Sequence, residues 1–177
     1  MITNTHNKTF AGIRVQQTWT ALYCLENFLT AYKPDLIIEL GTGCGGLSLF
    51  FSLHALTYTF DTGNRAELRR LLPYDIRFIK GDVFDPMYFQ EIKILCEEYE
   101  KVFLFCDGGN KLEEFKMYAP VLHGGQVIGV HDYETEVFGK DLRPLADKAD
   151  LEPVEHIVFE QYETLIRLWS KRQAVGF

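Results

Sequence analysis

The sequence predicts an α/β chain: a doubly wound, mostly parallel sheet with helices on both faces. Two observations carry that expectation. Five short apolar runs of strand length are each followed by a segment of helical character. The positions where those runs end hold Glu39, Asp61, Asp82, Asp107, and His131 with Asp132, nearly all acids. In such a sheet ligands sit beyond the carboxyl ends of the strands, so chemistry is expected at these residues.

The chain has 177 residues, the size of one domain. A single domain over 1–177 is expected, with 1–14 a loose N-terminal segment. Hydrophobic residues make up 47% and charged residues 24%, which excludes a disordered tail or a fibrous repeat. With 25 acidic against 18 basic residues and a net charge of −7, a phosphate backbone is a poor partner, and no nucleic acid is expected. No apolar stretch approaches the ~18 residues that span a membrane, and no charged stub precedes an apolar run at the N-terminus. Cys24, Cys44, Cys96 and Cys106 form no CxxC pair and no zinc-ligand spacing. Reduced thiols in a cytoplasmic chain are the expectation.

The elements follow in order. Apolar residues recur at helical spacing from Val15 to Tyr32, and Pro34 ends that helix because the residue before proline avoids helical angles. Leu36–Leu40 reads as the first strand, and the run from Leu47 to Leu53 as a helix. Leu56–Phe60 is the next strand. Asn64 and Glu67 have capping-box spacing for a helix through Leu72. A third strand spans Ile76–Ile79. Asp85 and Pro86 open a helix to about Tyr99, since aspartate caps and proline lacks only an N–H that the first turn leaves unbonded. Val102–Cys106 is a strand, Asn110 and Glu113 again have capping-box spacing for a helix through Leu122, and Gln126–Val130 is a strand. A helix near Leu142–Ala149 precedes two last runs, Val154–Phe159 and Thr164–Trp169. Their short gap predicts an antiparallel pair.

Between the first strand and its helix lies Glu39-Leu40-Gly41-Thr42-Gly43-Cys44-Gly45-Gly46. Glycines let the backbone take positive φ and approach a ligand closely. Gly41, Gly43 and Gly46 satisfy GxGxxG, the dinucleotide fingerprint. Glu39, Gly41, Gly43 and Gly45 equally satisfy ExGxGxG, and a tight turn without a ligand is the plainer alternative. Asp61 follows Gly41 by 20 residues at a strand end, where a carboxylate can accept both hydroxyls of a ribose. The plainer alternative for Asp61 is an exposed loop acid or helix cap.

ExGxGxG resembles the first motif of class I S-adenosylmethionine-dependent methyltransferases. The resemblance covers about residues 10 to 170. The segment Phe10–Gln17 and the block Lys33–Thr42 resemble the cephalosporin-hydroxylase-like branch, whose members are similar to O-methyltransferases. Phe105–Asn110 and Gly124–Tyr133 resemble the DGxH and GGxixxHD blocks of small O-methyltransferases. The resemblance implies a seven-stranded, Rossmann-like sheet of order 3-2-1-4-5-7-6. It also implies methyl transfer from S-adenosylmethionine to an oxygen of a small molecule or sugar, and a cofactor site at Glu39, Gly41, Thr42, Gly43, Gly45, Asp61, Asp82, Val83, Asp107 and Gln17. Asp82 is expected at the adenine amino group, and Gln16 and Gln17 are expected to close over the cofactor.

His131, Asp132 and Asp107 are the catalytic candidates. In metal-using relatives the fourth- and fifth-strand carboxylates hold magnesium, so Asp107 and Asp132 are expected as ligands of a metal that lowers the acceptor hydroxyl's pKa. His131 is alternatively the general base or a structural histidine. Tyr133 stands where catechol-type relatives carry asparagine. His131 stands where antibiotic-type relatives carry glutamate, and Asn110 where the DGxH relatives carry histidine. Tyr133, Glu134 and Glu136 are expected at the acceptor pocket; with little of the chain left for a lid, that pocket is expected to be open or to be completed by another subunit of a homo-oligomer. Two rivals stay open: a module that keeps the fold without turnover, and a nicotinamide-dependent oxidoreductase, which the C-terminal strand pair disfavours.

Overall fold

The structure, a computed structural model, describes residues 8–63, 74–154, 159, 161–162 and 164–173. The helix expected from Asn64 to Leu72 lies outside them. So do residues 1–7 of the segment expected to be loose.

Residues 9–14 of that segment are not loose. β1 (Thr9–Phe10) and β2 (Ile13–Arg14) pair as an antiparallel hairpin. Its two-residue turn, Ala11-Gly12, has positive φ at both positions (48° and 82°), the twist that hairpin strands favour. Beyond it burial alternates: Ile13, Val15 and Gln17 face inward while Arg14 and Gln16 are exposed. That two-residue period replaces the helix expected from Val15. α1 (Trp19–Tyr32) starts only after Thr18, whose hydroxyl accepts from the Ala21 amide at 3.0 Å. It ends at Lys33, whose φ of 53° is left-handed, just before Pro34.

β3 (Leu36–Leu40), α2 (Gly46–Ser52), β4 (Leu56–Asp61) and β5 (Ile76–Lys80) follow. Then come α3 (Pro86–Glu98), β6 (Val102–Cys106), α4 (Lys111–Tyr118) and β7 (Val127–Val130). Asp85 caps α3 as its sequence requires, accepting from Met87 N at 2.9 Å. α4 stops at Tyr118 and passes into one 3-10 turn, Ala119–Val121, because Pro120 has no N–H to continue the α-helical ladder. α5 (Gly139–Lys148) begins three residues before the expected Leu142. There Glu134 accepts the Gly139 amide at 2.9 Å, satisfying one of the helix-start donors.

The last strand pair is displaced from its expected place. β8 is Leu151–Pro153 and β9 is Arg167–Lys171, antiparallel, with Leu151 opposite Lys171. Asp150, at φ 55°, turns the chain so that the strand starts at once after α5. Phe159, expected in a strand, is helical, and Thr164 precedes the strand proper. The connection is therefore long, not the four residues expected.

The sheet runs β5-β4-β3-β6-β7-β9-β8, with the first five strands parallel and β9 antiparallel to both neighbours. This is the order 3-2-1-4-5-7-6. Side chains along a central strand alternate between two cores. Val102, Leu104 and Cys106 face α3, α4 and α5. Phe103 and Phe105 face α1 and α2, where Phe51 meets both edge-on with ring centroids 5.9 and 5.6 Å away. With both faces covered, β3 and β6 are apolar throughout except at Glu39.

Candidate active site

The order in which strands are added to the sheet reverses between the parallel neighbours β3 and β6, and the cleft opens above their carboxyl ends. Its volume is about 600 Å³. The residues expected at the cofactor, catalytic and metal sites line it, from Gln17 to Asp132, and so does Glu136, but Tyr133 and Glu134, expected at the acceptor pocket, do not.

One wall is the turn after β3. Gly41 has φ +102°, and a Cβ there would lie 2.5 Å from the carbonyl oxygen of Asp107. No L side chain fits that angle or that gap. The Gly41 amide extends the ladder to Phe60 O at 2.9 Å. The end of β4 ties the loop down: Asp61 accepts the Gly43 amide at 2.9 Å and the Gly63 amide at 2.7 Å. Asp82 accepts from Phe84 N at 3.0 Å in a tight turn after β5. The Val83 side chain packs into the core, and its carbonyl takes the hydroxyl of Tyr118.

Beneath the loop Glu39 is wholly buried. Its Oε2 accepts Thr59 Oγ1 at 2.5 Å and the Ser48 hydroxyl, and Thr42 meets Thr59 at 2.7 Å. Burial pushes its pKa up to about 8; the two hydroxyls oppose this, and Asp107 and Asp61 add to it. Glu39 Oε1 and Gln17 Oε1 are buried without a hydrogen-bond partner among the described residues.

The other wall is a chain of charges. Gln17 donates to Asp107 Oδ2 at 2.8 Å. His131 Nδ1 faces Asp107 Oδ1 at 2.9 Å and Asp132 Oδ2 at 3.2 Å. Lys111, only 7% exposed, holds Asp132 Oδ2 at 3.0 Å, Glu136 Oε2 at 2.8 Å and Gly108 O at 3.1 Å. Asp132 has φ +57°, a strained angle of the kind that collects at working sites. Burial pulls the pKa of His131 down, but the hydrogen bond and charge of Asp107 and the charge of Asp132 outweigh it, so it is raised. Lys111 is likewise raised: burial lowers it, and Glu136 and Asp132 more than compensate. Asp107 is raised by burial, which His131 and Lys111 only partly offset.

The sequence reading missed Lys111 and Glu114. A lysine in the first turn of a helix opposes the helix dipole, so it needs nearby carboxylates, and that was the available signal. Glu114, buried, accepts the amides of Gly108 and Asn110 at 3.3 and 3.4 Å, and burial pushes its pKa up to about 7. Asn110 caps α4, accepting from Glu113 N at 3.4 Å. The return bond expected from Glu113 comes from Glu114 instead, and Glu113 pairs with Lys116. Glu136 and Tyr133 stand on the turn after β7. Tyr133 packs under Arg167, 4.9 Å from the ring centroid.

Asp107, His131 and Asp132 each place a ligand atom within 4.8 Å of the others, close enough for one ion. Yet three of the four oxygens of Asp107 and Asp132 already accept an N–H, from His131, Gln17 and Lys111. Magnesium needs hard oxygen ligands in octahedral geometry at about 2.0–2.1 Å. Placed as they are, these residues do not fit a resident divalent ion.

A seven-stranded sheet of this order, with its glycine turn after the central strand, is the fold of Rossmann-like methyltransferases. The chain belongs to the rhamnosyl O-methyltransferase/CmcI family, which matches residues 3–153. It is 26% identical over 137 residues to the rhamnosyl O-methyltransferase of Mycobacterium tuberculosis H37Rv, covering 70% of this chain and 56% of that protein. The chain thus spans about half the length of the curated relatives it matches. The apo structure of CmcI-N160 superposes with a TM-score of 0.67 at 14% identity, over 94% of this chain and 77% of the other. Magnesium protoporphyrin IX methyltransferase from Synechocystis PCC 6803, with bound SAM, gives 0.59 at 16% identity, over 85% and 78%. At these identities the likeness shows the fold alone. Among the described residues no helix is long and apolar enough to cross a membrane, and no disulfide joins the cysteines.

Proposed function

We propose that the chain transfers a methyl group from S-adenosylmethionine to a hydroxyl of a sugar or other small molecule. The observation that carries this reading is the pairing of Asp107 with His131, 2.9 Å apart, in the cleft whose other wall is the glycine turn. Family membership supports it independently.

The cleft suits the cofactor. Its volume lies within the range of small-molecule sites, and its floor holds two buried acceptors, Glu39 Oε1 and Gln17 Oε1, that lack a donor. A ligand ammonium is such a donor. Asp61 would accept the ribose hydroxyls, Asp82 and Val83 would border the adenine, and the Gly41–Gly45 backbone would line the methionine portion. When bound, the cofactor supplies a methyl group on a sulfonium, an electrophile that needs little further activation.

The protein's own part is a proton transfer and an alignment. His131 Nδ1 is turned to the carboxylates, which leaves Nε2 for the acceptor. Nε2 would take the proton from the acceptor hydroxyl as its oxygen displaces S-adenosylhomocysteine from the methyl carbon, and Asp107 would stabilise the imidazolium that forms. Asp107, fixed by Gln17 and by its amide bond to Leu40 O at 2.9 Å, sets the orientation of the ring. Asp132 adds a second negative charge beside it. No step passes through a metal.

Calorimetry with S-adenosylhomocysteine, followed by transfer of labelled methyl to a panel of glycosides and small alcohols, tests the reading. No heat with S-adenosylhomocysteine, alongside a melting shift with NAD, would replace it with the oxidoreductase alternative.

A further inference from the structure

The acidic end of the cleft contains its own cation. Lys111 is the first residue of α4, and its Nζ is surrounded by three acceptors: Gly108 O, Asp132 Oδ2 and Glu136 Oε2 at 3.1, 3.0 and 2.8 Å. An ammonium has three N–H donors, so every one is matched. The side chain is 6% exposed, and that of Asp132 22%. At such burial, carboxylates this close repel each other unless cations lie against them. Lys111 and His131, each bonded to these acids, offset that repulsion in part.

We propose that Lys111 is the resident cation of the Asp107–Asp132 cluster and that it keeps divalent metal ions out of it. Three facts converge. The ammonium engages Asp132 Oδ2, one of the two carboxylates expected to hold magnesium. The other, Asp107, has both oxygens taken by His131 Nδ1 and Gln17 Nε2. An ion placed among Asp107, His131 and Asp132 would add two positive charges beside an ammonium already bonded to the same acid. In a low-dielectric pocket that repulsion is large. Lys111 is thus a positioning residue: it holds Asp132 turned toward His131, and through Glu136 it pins the turn after β7.

This inference deepens the methyl-transfer reading, but its test reads metal binding alone, so either can fail without the other. Mn²⁺ is titrated into the full chain and followed by calorimetry, by the loss of the free-ion resonance and by melting temperature. Four forms are compared: wild type, Asp132→Asn, Lys111→Met, and Lys111→Met with Asp132→Asn. The wild type is expected to show no Mn²⁺ binding that depends on Asp132. Lys111→Met is expected to gain affinity by about 10-fold or more, and the added Asp132→Asn should remove the gain. Wild-type binding that Asp132→Asn abolishes overturns the proposal. So does a folded Lys111→Met protein that gains no Mn²⁺ affinity. If Lys111→Met does not fold, Lys111→Gln takes its place, and the comparison of wild type with Asp132→Asn still decides.

Discussion

Around Gly41–Gly46 the cleft wall is main chain and uncharged hydroxyls; between β6 and β7 it is a string of charged side chains. The first wall is built from neighbours in sequence, a strand end and the turn that follows, with one acid, Asp61, tying it to the next strand. The second joins residues that sequence keeps apart: Gln17 reaches Asp107 across 90 positions, and Lys111 reaches Glu136 across 25. A wall made of backbone is either in place or absent. A wall made of charges can be altered one partner at a time, because each group has several partners to share the load. The difference suggests a division of labour in which the rigid wall holds a cofactor and the charged wall handles the acceptor and its proton.

The sharpest way to break the first wall is Gly41→Val. The φ of +102° and the 2.5 Å approach to Asp107 O should together cost roughly 3 kcal/mol or more in stability. Urea unfolding reads this directly, and an unchanged midpoint would mean that the turn tolerates a side chain. Because Gly41 abuts Asp107, this variant damages both walls.

His131→Ala confines damage to the second wall. Transfer should fall roughly 10²- to 10⁴-fold while S-adenosylhomocysteine affinity stays the same. A rate within a factor of a few of wild type would place the base elsewhere.

Asp61→Asn probes the first wall in the opposite sense. Weakening charge-assisted bonds should cost about 1.5–3 kcal/mol in S-adenosylhomocysteine affinity, whereas Asp132→Asn should leave that affinity unchanged. Equal affinities for Asp61→Asn and wild type would remove the ribose role.

The smallest effect belongs to Glu39, which sits under both walls. Its folded pKa, about 8, lies above the usual 4.5. Between those values the unfolded chain has released the proton and the folded chain has kept it, so stability falls as pH rises through that window. Glu39→Gln should flatten this slope, its melting temperature gaining on wild type at pH 9 relative to pH 5. Parallel melting curves for the two proteins would show that Glu39 titrates normally.

Much of the fold was legible. The strands β3 to β7 fall within a residue or two of their apolar runs, and Asp85 caps α3 where its proline partner implied. The errors have physical causes. Val15 falls at helical spacing with Trp19 and Leu22, but residues 13 to 17 alternate in burial because a hairpin docks ahead of α1. β8 was sought in the apolar run from Val154, whereas Asp150 turns the chain earlier and backbone pairing with β9 outweighs side-chain character. At the site, every strand-end acid was named from the chain alone. Lys111 was not, because a single lysine on a helix resembles any solvated residue until its burial is known.

The chain alone determined what depends on neighbouring residues: the period of each strand and helix, their caps, the glycine turn, and acids at the strand ends. Local backbone geometry and side-chain alternation dictate these, whatever lies across the sheet. Only the tertiary structure decided the protonation of Glu39, the pairing of Asp107 with His131, and the seat of Lys111 between Asp132 and Glu136. Those depend on burial and on distances between segments far apart in the chain, and a charge's energy is set by its surroundings more than by its own identity.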